Sequence, residues 1–403
     1  MSRRPVLRFL GRLLLLLGAA QLVPAACSLF YGEGPDAGAF LVSAALSALA
    51  GGALSSAGRG NGETYRREGI LVVVGGWVLA SLFGAVPYLL TATLASPVDA
   101  LFEAASGFTT TGATVLTDIE AAGRGVLFWR SFTQWLGGMG IIVLFVALLP
   151  ELGPGARFLY KLEVPGPTAQ ALLPHIRDTA SVLWRLYLGL TAAEVLLLLL
   201  AGLDLYDALT HSFSTLSTGG FSPRGASIAA FASPAVEGIV IVFMILAGVN
   251  FSLYFGLRHR SGWRAVARDP EARTYLAILG AGTLVTAWAL LQSDLYELSG
   301  EGVGRALLDS AFQVTSISTT TGFATTDFQT WPSFVRMLLV ALMFVGGCAG
   351  STSGSMKVSR MMIGLKAAWR EVRLIFSPST VISILMGSKP VPEGVVRSVA
   401  GFF

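Results

Sequence analysis

Three short segments carry residue types suited to replacing a cation's water with oxygen ligands. They are LFEAASGFTTTGATV (101–115), ALTHSFSTLSTGGFS (208–222) and AFQVTSISTTTGFAT (311–325). Aligned on Gly112, Gly219 and Gly322, each Gly follows Thr111, Thr218 or Thr321, and before these stand Thr110, Ser217 and Thr320. Phe102, Leu209 and Phe312 lie ten residues upstream of the Gly. A ring of backbone carbonyls can take the place of an ion's hydration shell. Turning successive carbonyls to one axis takes the backbone out of the helix and strand regions, which Gly allows because it has no Cβ. Thr and Ser hydroxyls satisfy freed backbone groups or add a ligand oxygen. None of the three segments carries Lys or Arg, as a cation path requires.

The flanks repeat as well. Each segment follows an apolar run (69–92, 181–203, 274–292) and precedes another (126–149, 235–257 and one from 333). A small-residue pair recurs in the second run, as Gly137-Gly138, Ala247-Gly248 and Gly346-Gly347, with its second member 26, 29 and 25 residues after the aligned Gly. The unit is span, short helix, Thr-Gly strand, span. The partly negative C-terminal end of each short helix would face the pore and favour a cation. With the apolar runs 8–30 and 36–57 in front, the expected fold is an all-α integral membrane protein: an N-terminal helix pair, then pseudo-repeated M1–P-loop–M2 units around a cation pore. The expected boundaries are 1–60 for the pair, 61–165, 166–268 and 269–390 for three units, and 391–403 for the start of a fourth.

Composition agrees. Of 403 residues, 53% are hydrophobic and 13% charged, about half the charge of an average soluble domain. Several runs exceed the ~20 residues that span a bilayer as a helix, so soluble classes are excluded. All but five of the 28 Lys and Arg residues fall in segments 1–12, 57–68, 154–185, 257–273 and 357–397; the five are Arg124, Arg130, Arg224, Arg305 and Arg336. This bias places the N-terminus in the cytoplasm, and the net charge of +4 reports topology, not a nucleic-acid partner. The start RRPVLRFLGRLLLLLGAAQLVPAAC has features of a secretory signal, but its apolar run is long and Pro24 sits awkwardly before Cys27. It is expected to stay as the first span. Cys27 and Cys348 suggest no disulfide framework. His175, His211 and His259 are scattered as loop or packing residues, without a metal cluster. Asp99, Glu103, Asp207, Asp309 and Asp327 lie near the external loops, where they either concentrate cations at a mouth or serve as polar loop residues and helix caps.

The last apolar run, VALMFVGGCAGSTSGSMKVSRMMIGL (340–365), is interrupted. Gly346, Gly347, Gly350, Ser351, Thr352, Ser353, Gly354 and Ser355 crowd ten positions. Such a stretch is a poor helix, and irregular backbone at membrane depth lines a cavity or packs on protein. A flexible loop there is a natural gate; a small-residue helix interface is the alternative. Lys357 and Arg360 follow at once.

SGFTTTGATVL (106–116), WRSFTQWLGGMGIIV (129–143), STGGFSP (217–223), STTTGFATTDF (318–328) and GGCAGSTSGSMKVSR (346–360) resemble the TrkH branch of the Trk/Ktr/HKT potassium transporters, over nearly the whole chain. The resemblance implies a fourfold pseudosymmetric pore and potassium uptake across the bacterial inner membrane, with K+ as cargo and no covalent cofactor. It implies membrane lipid as surroundings, a homodimer, and a cytosolic nucleotide-binding regulator of the TrkA type. Stretch 346–355 would be the family's intramembrane gating loop. Plant relatives with Ser at the first filter Gly transport sodium, so Gly112 favours potassium. The family has four filter segments, and three are present here. A fourth unit begins at PEGVVRSVAGFF (392–403), which leads us to expect a truncated gene model or a split chain, with the last span and its pore-facing Arg missing. A non-conducting fragment is the alternative. A coupled secondary transporter would show two halves rather than three like-oriented units, and an enzyme would need a reactive constellation that this spacing does not offer.

Overall fold

Long apolar runs become single helices, in two cases across an internal proline, Pro24 or Pro87. The computed structural model of the chain describes residues 3–59, 66–140, 176–257, 267–387 and 389–401. Among these, five helices are long and apolar enough to cross a membrane: Arg4–Phe30, Gly34–Ala57, Arg67–Leu90, Ala180–Leu200 and Pro270–Leu291. His175, His259, the boundaries at 60/61 and 165/166, and the final two residues lie outside the described positions. The described residues fall into two compact units. One runs to Phe243 and takes in Thr321–Thr325; the other comprises Met244–Thr320 and the residues from Thr326 on.

In the first unit, α1 (Arg3–Phe30) and α2 (Gly34–Ala57) form a hairpin. Pro87 inside α3 (Arg66–Leu90) has no N–H to give Phe83. Gln21 of α1 supplies the missing donor, with Nε2 3.0 Å from the Phe83 carbonyl, and Ser47 of α2 donates to the same Gln21 at 3.2 Å. One buried amide thus ties three helices. The hairpin also reaches α5 (Arg124–Gly138): the Glu33 carboxylate accepts the free N–H groups of Arg124 at 2.7 Å and Gly125 at 3.0 Å, where a negative charge is favoured by the helix dipole. Helices α6 (Ile176–Leu200) and α7 (Leu205–Leu216) follow; α8 (Pro234–Gly248) begins in this unit and ends in the second, to which α9 (Phe251–Leu257) belongs.

The second unit contains α10 (Pro270–Leu291), α11 (Gly300–Ser318), α12 (Ser333–Met343) and α13 (Val358–Phe376), then a hairpin pairing Leu385–Met386 with Lys389–Pro390, and α14 (Glu393–Ala400). Val396 and Val399 of α14 pack with Ile363 of α13 and Ile384.

The short helix of each unit, α4 (Pro97–Phe108), α7 and α11, begins at a side-chain cap. Ser96 accepts from Asp99 N, Asp204 from Asp207 N and Ser299 from Gly302 N, each satisfying one of the free amides of a first turn. The helices after them depart from the expected continuous spans. In run 126–149 the helix α5 ends at Gly138, and Gly140 takes φ +63°; residues 141–149 lie outside the described positions. Run 235–257 breaks at Val249–Asn250, where Asn250 Oδ1 accepts Ser252 N at 2.9 Å and restarts the chain as α9. The third run breaks between Met343 and Val358. All three helices therefore stop within a few residues of the small-residue pair, although apolar sequence continues beyond it.

Candidate ion pathway: the filter loops and the interrupted helix

The short helices end at Thr109, Ser217 and Thr319, and the next residue in each copy, Thr110, Thr218 or Thr320, has φ of +55°, +53° or +60°. Two residues on, Gly112, Gly220 and Gly322 take φ of +76°, +78° and +84°. Amides of Thr110, Thr218 and Thr320 donate to Gly107, Thr215 and Ile317 at 2.9–3.0 Å, and those of Thr111 and Gly219 reach back to Ser106 and Ser214 at 2.9 Å. This is the helix-ending turn that normally places Gly at the left-handed position. A β-branched residue there is an outlier and costs roughly 1–2 kcal/mol. Strain repeated at three matched positions marks a functional segment.

The backbone corrects the register of the second copy: Gly220, not Gly219, matches Gly112 and Gly322. Alignment on the Thr-Gly dipeptide missed it. The signal was nonetheless present, since Asp99, Asp207 and Asp309 each lie thirteen residues before the matched Gly, and Ser106, Ser214 and Ser316 lie six before. Thr109, Ser217 and Thr319 are then equivalent helix caps, and Gly219 pairs with Thr111 and Thr321.

The strands lie side by side. A Cβ on Gly112 would overlap the Gly219 carbonyl oxygen and one on Gly220 the Thr321 oxygen, whereas nothing lies within 4 Å of the same point on Gly322. Thr110, Thr111, Gly112, Ser217, Thr218, Gly219, Thr321 and Gly322 thus belong to one unit of the fold. The second strand is held by Gln134 of α5, which donates to Gly219 O at 2.7 Å and accepts from Phe221 N at 3.0 Å. This two-way bond stands in for a neighbouring strand. Gln134→Leu keeps the volume and removes both bonds, so we expect a loss of about tenfold in rubidium-over-sodium discrimination, read from competition in a flux assay; unchanged discrimination would dismiss Gln134 as a support.

Arg130 joins the first two strands. Its Nε lies 2.7 Å from Glu103, one terminal nitrogen donates to Thr114 Oγ1 at 3.1 Å and the other to Ser222 O at 3.3 Å, with Phe221 beneath the guanidinium. Glu103 also accepts from Val115 N at 3.0 Å. In the matched register His211 and Gln313 occupy the Glu103 position. His211 bridges Asp207 O at 2.8 Å and Ser222 Oγ at 3.0 Å, and Gln313 reaches Thr326 O at 3.5 Å. A short-helix side chain therefore braces the segment that follows in every copy, by three chemistries that no residue-by-residue comparison would equate.

Most of the carboxylates left open between cation mouth and structural role prove structural. Glu103 is fully buried with Arg130, Asp207 pairs with Arg224 at 2.5 Å, Asp309 pairs with Arg305 at 2.7 Å and accepts Tyr296, and Asp327 caps the turn at Gln329. The Asp207 hydrogen bond raises the Arg224 pKa above its ordinary value.

The small-residue pairs have a packing cause. A Cβ on Gly138 would meet Ser217 and the Tyr187 hydroxyl. One on Gly248 would meet the Tyr275 hydroxyl and Thr319. Tyr187 donates to Trp135 O at 3.1 Å and Tyr275 to Ile245 O at 3.4 Å. In the first two copies the second helix thus presses its glycine against the first helix and the short-helix cap of the following copy, whereas Gly346 and Gly347 meet Gly354 O and Gly248 O instead.

Residues 344–357 leave the helix and close on themselves. Gly346 N donates to Met356 O at 2.9 Å, Val358 N to Gly347 O at 3.2 Å, and Gly347 N to Ser353 Oγ at 3.0 Å. Gly350 takes φ +77°. Lys357, buried, donates its Nζ to Ser353 O. Cys348 N and Thr352 N donate to Gly248 O and Ala247 O at the end of α8, and Gly354 N donates to Thr320 Oγ1 at 2.7 Å. The stretch Gly346, Gly347, Gly350, Ser351, Thr352, Ser353 and Gly354 is therefore an ordered loop seated against Thr320. Cys27 and Cys348 are free thiols.

The description of TrkH cation transport proteins matches residues 38–403. The chain belongs to the TrkH family. It is 42% identical to the Trk system potassium uptake protein TrkH of Halomonas elongata and 38% identical to that of Escherichia coli K12, in each case over 100% of this chain and 83% of the relative. The crystal structure of the potassium transporter TrkH from Vibrio parahaemolyticus is similar at a TM-score of 0.86 and 37% identity, covering 100% of this chain and 83% of that one. The family is one of transporters, and the fold class expected for this TrkH-family chain, an all-helical membrane protein, agrees with that neighbour.

Proposed function

We propose that this chain carries potassium into the cell across the bacterial inner membrane, with its N-terminus in the cytoplasm. Carbonyls of Thr110–Gly112, Thr218–Gly220 and Thr320–Gly322 form walls of the selectivity filter, and loop 346–355 gates it. The carrying observation is that three short helices end in the same strained turn, a left-handed Thr followed two residues later by a left-handed Gly. Family membership supports potassium as the cargo, and the clustering of Lys and Arg on alternate loops supports the orientation. The chain works as a homodimer with a cytosolic nucleotide-binding regulator of the TrkA type, without a cofactor of its own and without catalysing a chemical step.

The test is rubidium uptake into potassium-loaded proteoliposomes. Uptake blocked by external potassium but not by equal sodium is expected. Uptake blocked equally by both ions would remove the selectivity filter, and no uptake would remove the conducting pore.

A further inference from the structure

Glu271 lies in the first turn of α10, outside both the filter and the loop. Its Oε1 accepts two backbone amides, Ala349 N at 2.7 Å and Ser359 N at 3.0 Å. One of these belongs to the interior of the glycine-rich loop and the other to the first turn of α13. A single oxygen on a third helix therefore holds the loop and its downstream helix together. The loop's small side chains leave little apolar surface to hold it, so the polar clips decide its position. We propose that Glu271 is the latch of the loop: with both amides engaged, residues 346–357 stay seated on Thr320, and moving the start of α10 away from Ala349 and Ser359 frees the loop. This makes Glu271 a positioning residue for the gate and rests on the gating role assigned above to the loop. It also gives a cytosolic regulator one point of attack, since displacing one helix end releases both bonds at once.

Because both amides share Oε1, Glu271→Gln keeps a carbonyl acceptor in place and Glu271→Ala removes it. In proteoliposomes of the full chain, Glu271→Ala is expected to raise rubidium flux about fivefold or more, the factor that one net hydrogen bond is worth, with potassium-over-sodium preference unchanged. Glu271→Gln is expected to stay within about twofold of the parent. Damage to the fold would lower flux, so the direction separates latch from scaffold. A second measurement does not depend on conduction. Cys348, fully buried, is next to Ala349, and in a Cys27→Ser background it is the sole thiol. Maleimide should label it faster in Glu271→Ala than in the parent or in Glu271→Gln. If Glu271→Ala fails to fold, Glu271→Asp, one methylene too short to reach both amides, replaces it. Unchanged labelling in the latch-less variant overturns the proposal whatever the flux. Faster labelling with no rubidium uptake by any form would leave the latch standing and remove the pore reading instead.

Discussion

Gly220→Ala is expected to abolish selective rubidium uptake, because the placement of backbone carbonyls is what replaces the ion's water. The position is left-handed, so alanine alone costs roughly 1–2 kcal/mol there. The larger effect lies in what the new methyl meets. It would overlap the Thr321 carbonyl oxygen, a backbone atom of the neighbouring segment that cannot rotate away. Relief at 220 requires the carbonyls themselves to shift, and their placement is what discriminates between ions. Gly219→Ala is the control for register. Its methyl would run into the Gln134 side chain, which can swing aside by giving up its two bonds to the strand, so an intermediate loss is expected. Rubidium uptake with sodium competition, on variants matched by gel filtration, ranks the two. A greater loss at 219 than at 220 would restore the Thr-Gly register and overturn the one drawn from the backbone.

The second large effect is on stability. Arg130 and Glu103 are 1% and 0% exposed as side chains. Arg130→Met leaves a buried carboxylate without its counter-charge, which costs about 3–5 kcal/mol, and it frees Ser222 O and Thr114 at the same time. A fall of ~10 °C in the thermal midpoint in detergent is expected. Adding Glu103→Gln to Arg130→Met should recover much of it, because the amide oxygen can still accept Val115 N and Thr114 without a charge. Arg130→Lys should fall between, since one ammonium cannot span Glu103, Thr114 and Ser222 as the guanidinium fork does. A midpoint for Arg130→Met within ~2 °C of the parent would mean the pair contributes nothing to the fold.

Much of this architecture was legible in the residues. Runs of twenty or more apolar residues between charged loops require helices, because lipid offers no partner for free backbone groups. The three helix-turn-strand copies followed from Thr, Ser and Gly at matched spacing. The interruption after Gly346 followed from four glycines and three serines where a helix was otherwise due. Each of these depends on neighbours within one segment, so local chemistry is enough to read it.

What the sequence left open depends on atoms far apart along the chain. The register of the second copy is fixed by the backbone turn at Thr218 and Gly220, whereas a Thr-Gly search lands on the adjacent Gly219. The break at Asn250 falls inside an apolar run and appears only once the side chain bonds Ser252 N. Gln134 sits 85 residues from the strand it supports, Glu271 sits 78 from Ala349, and Glu103, His211 and Gln313 share a position without sharing a chemistry. The sequence by itself determined that helices cross the membrane and that three Thr-Gly loops return between them. Only tertiary contact decided which glycine faces which carbonyl and which carboxylate is a brace, because a hydrogen bond is specified by distance and direction, and neither is written in the order of the residues.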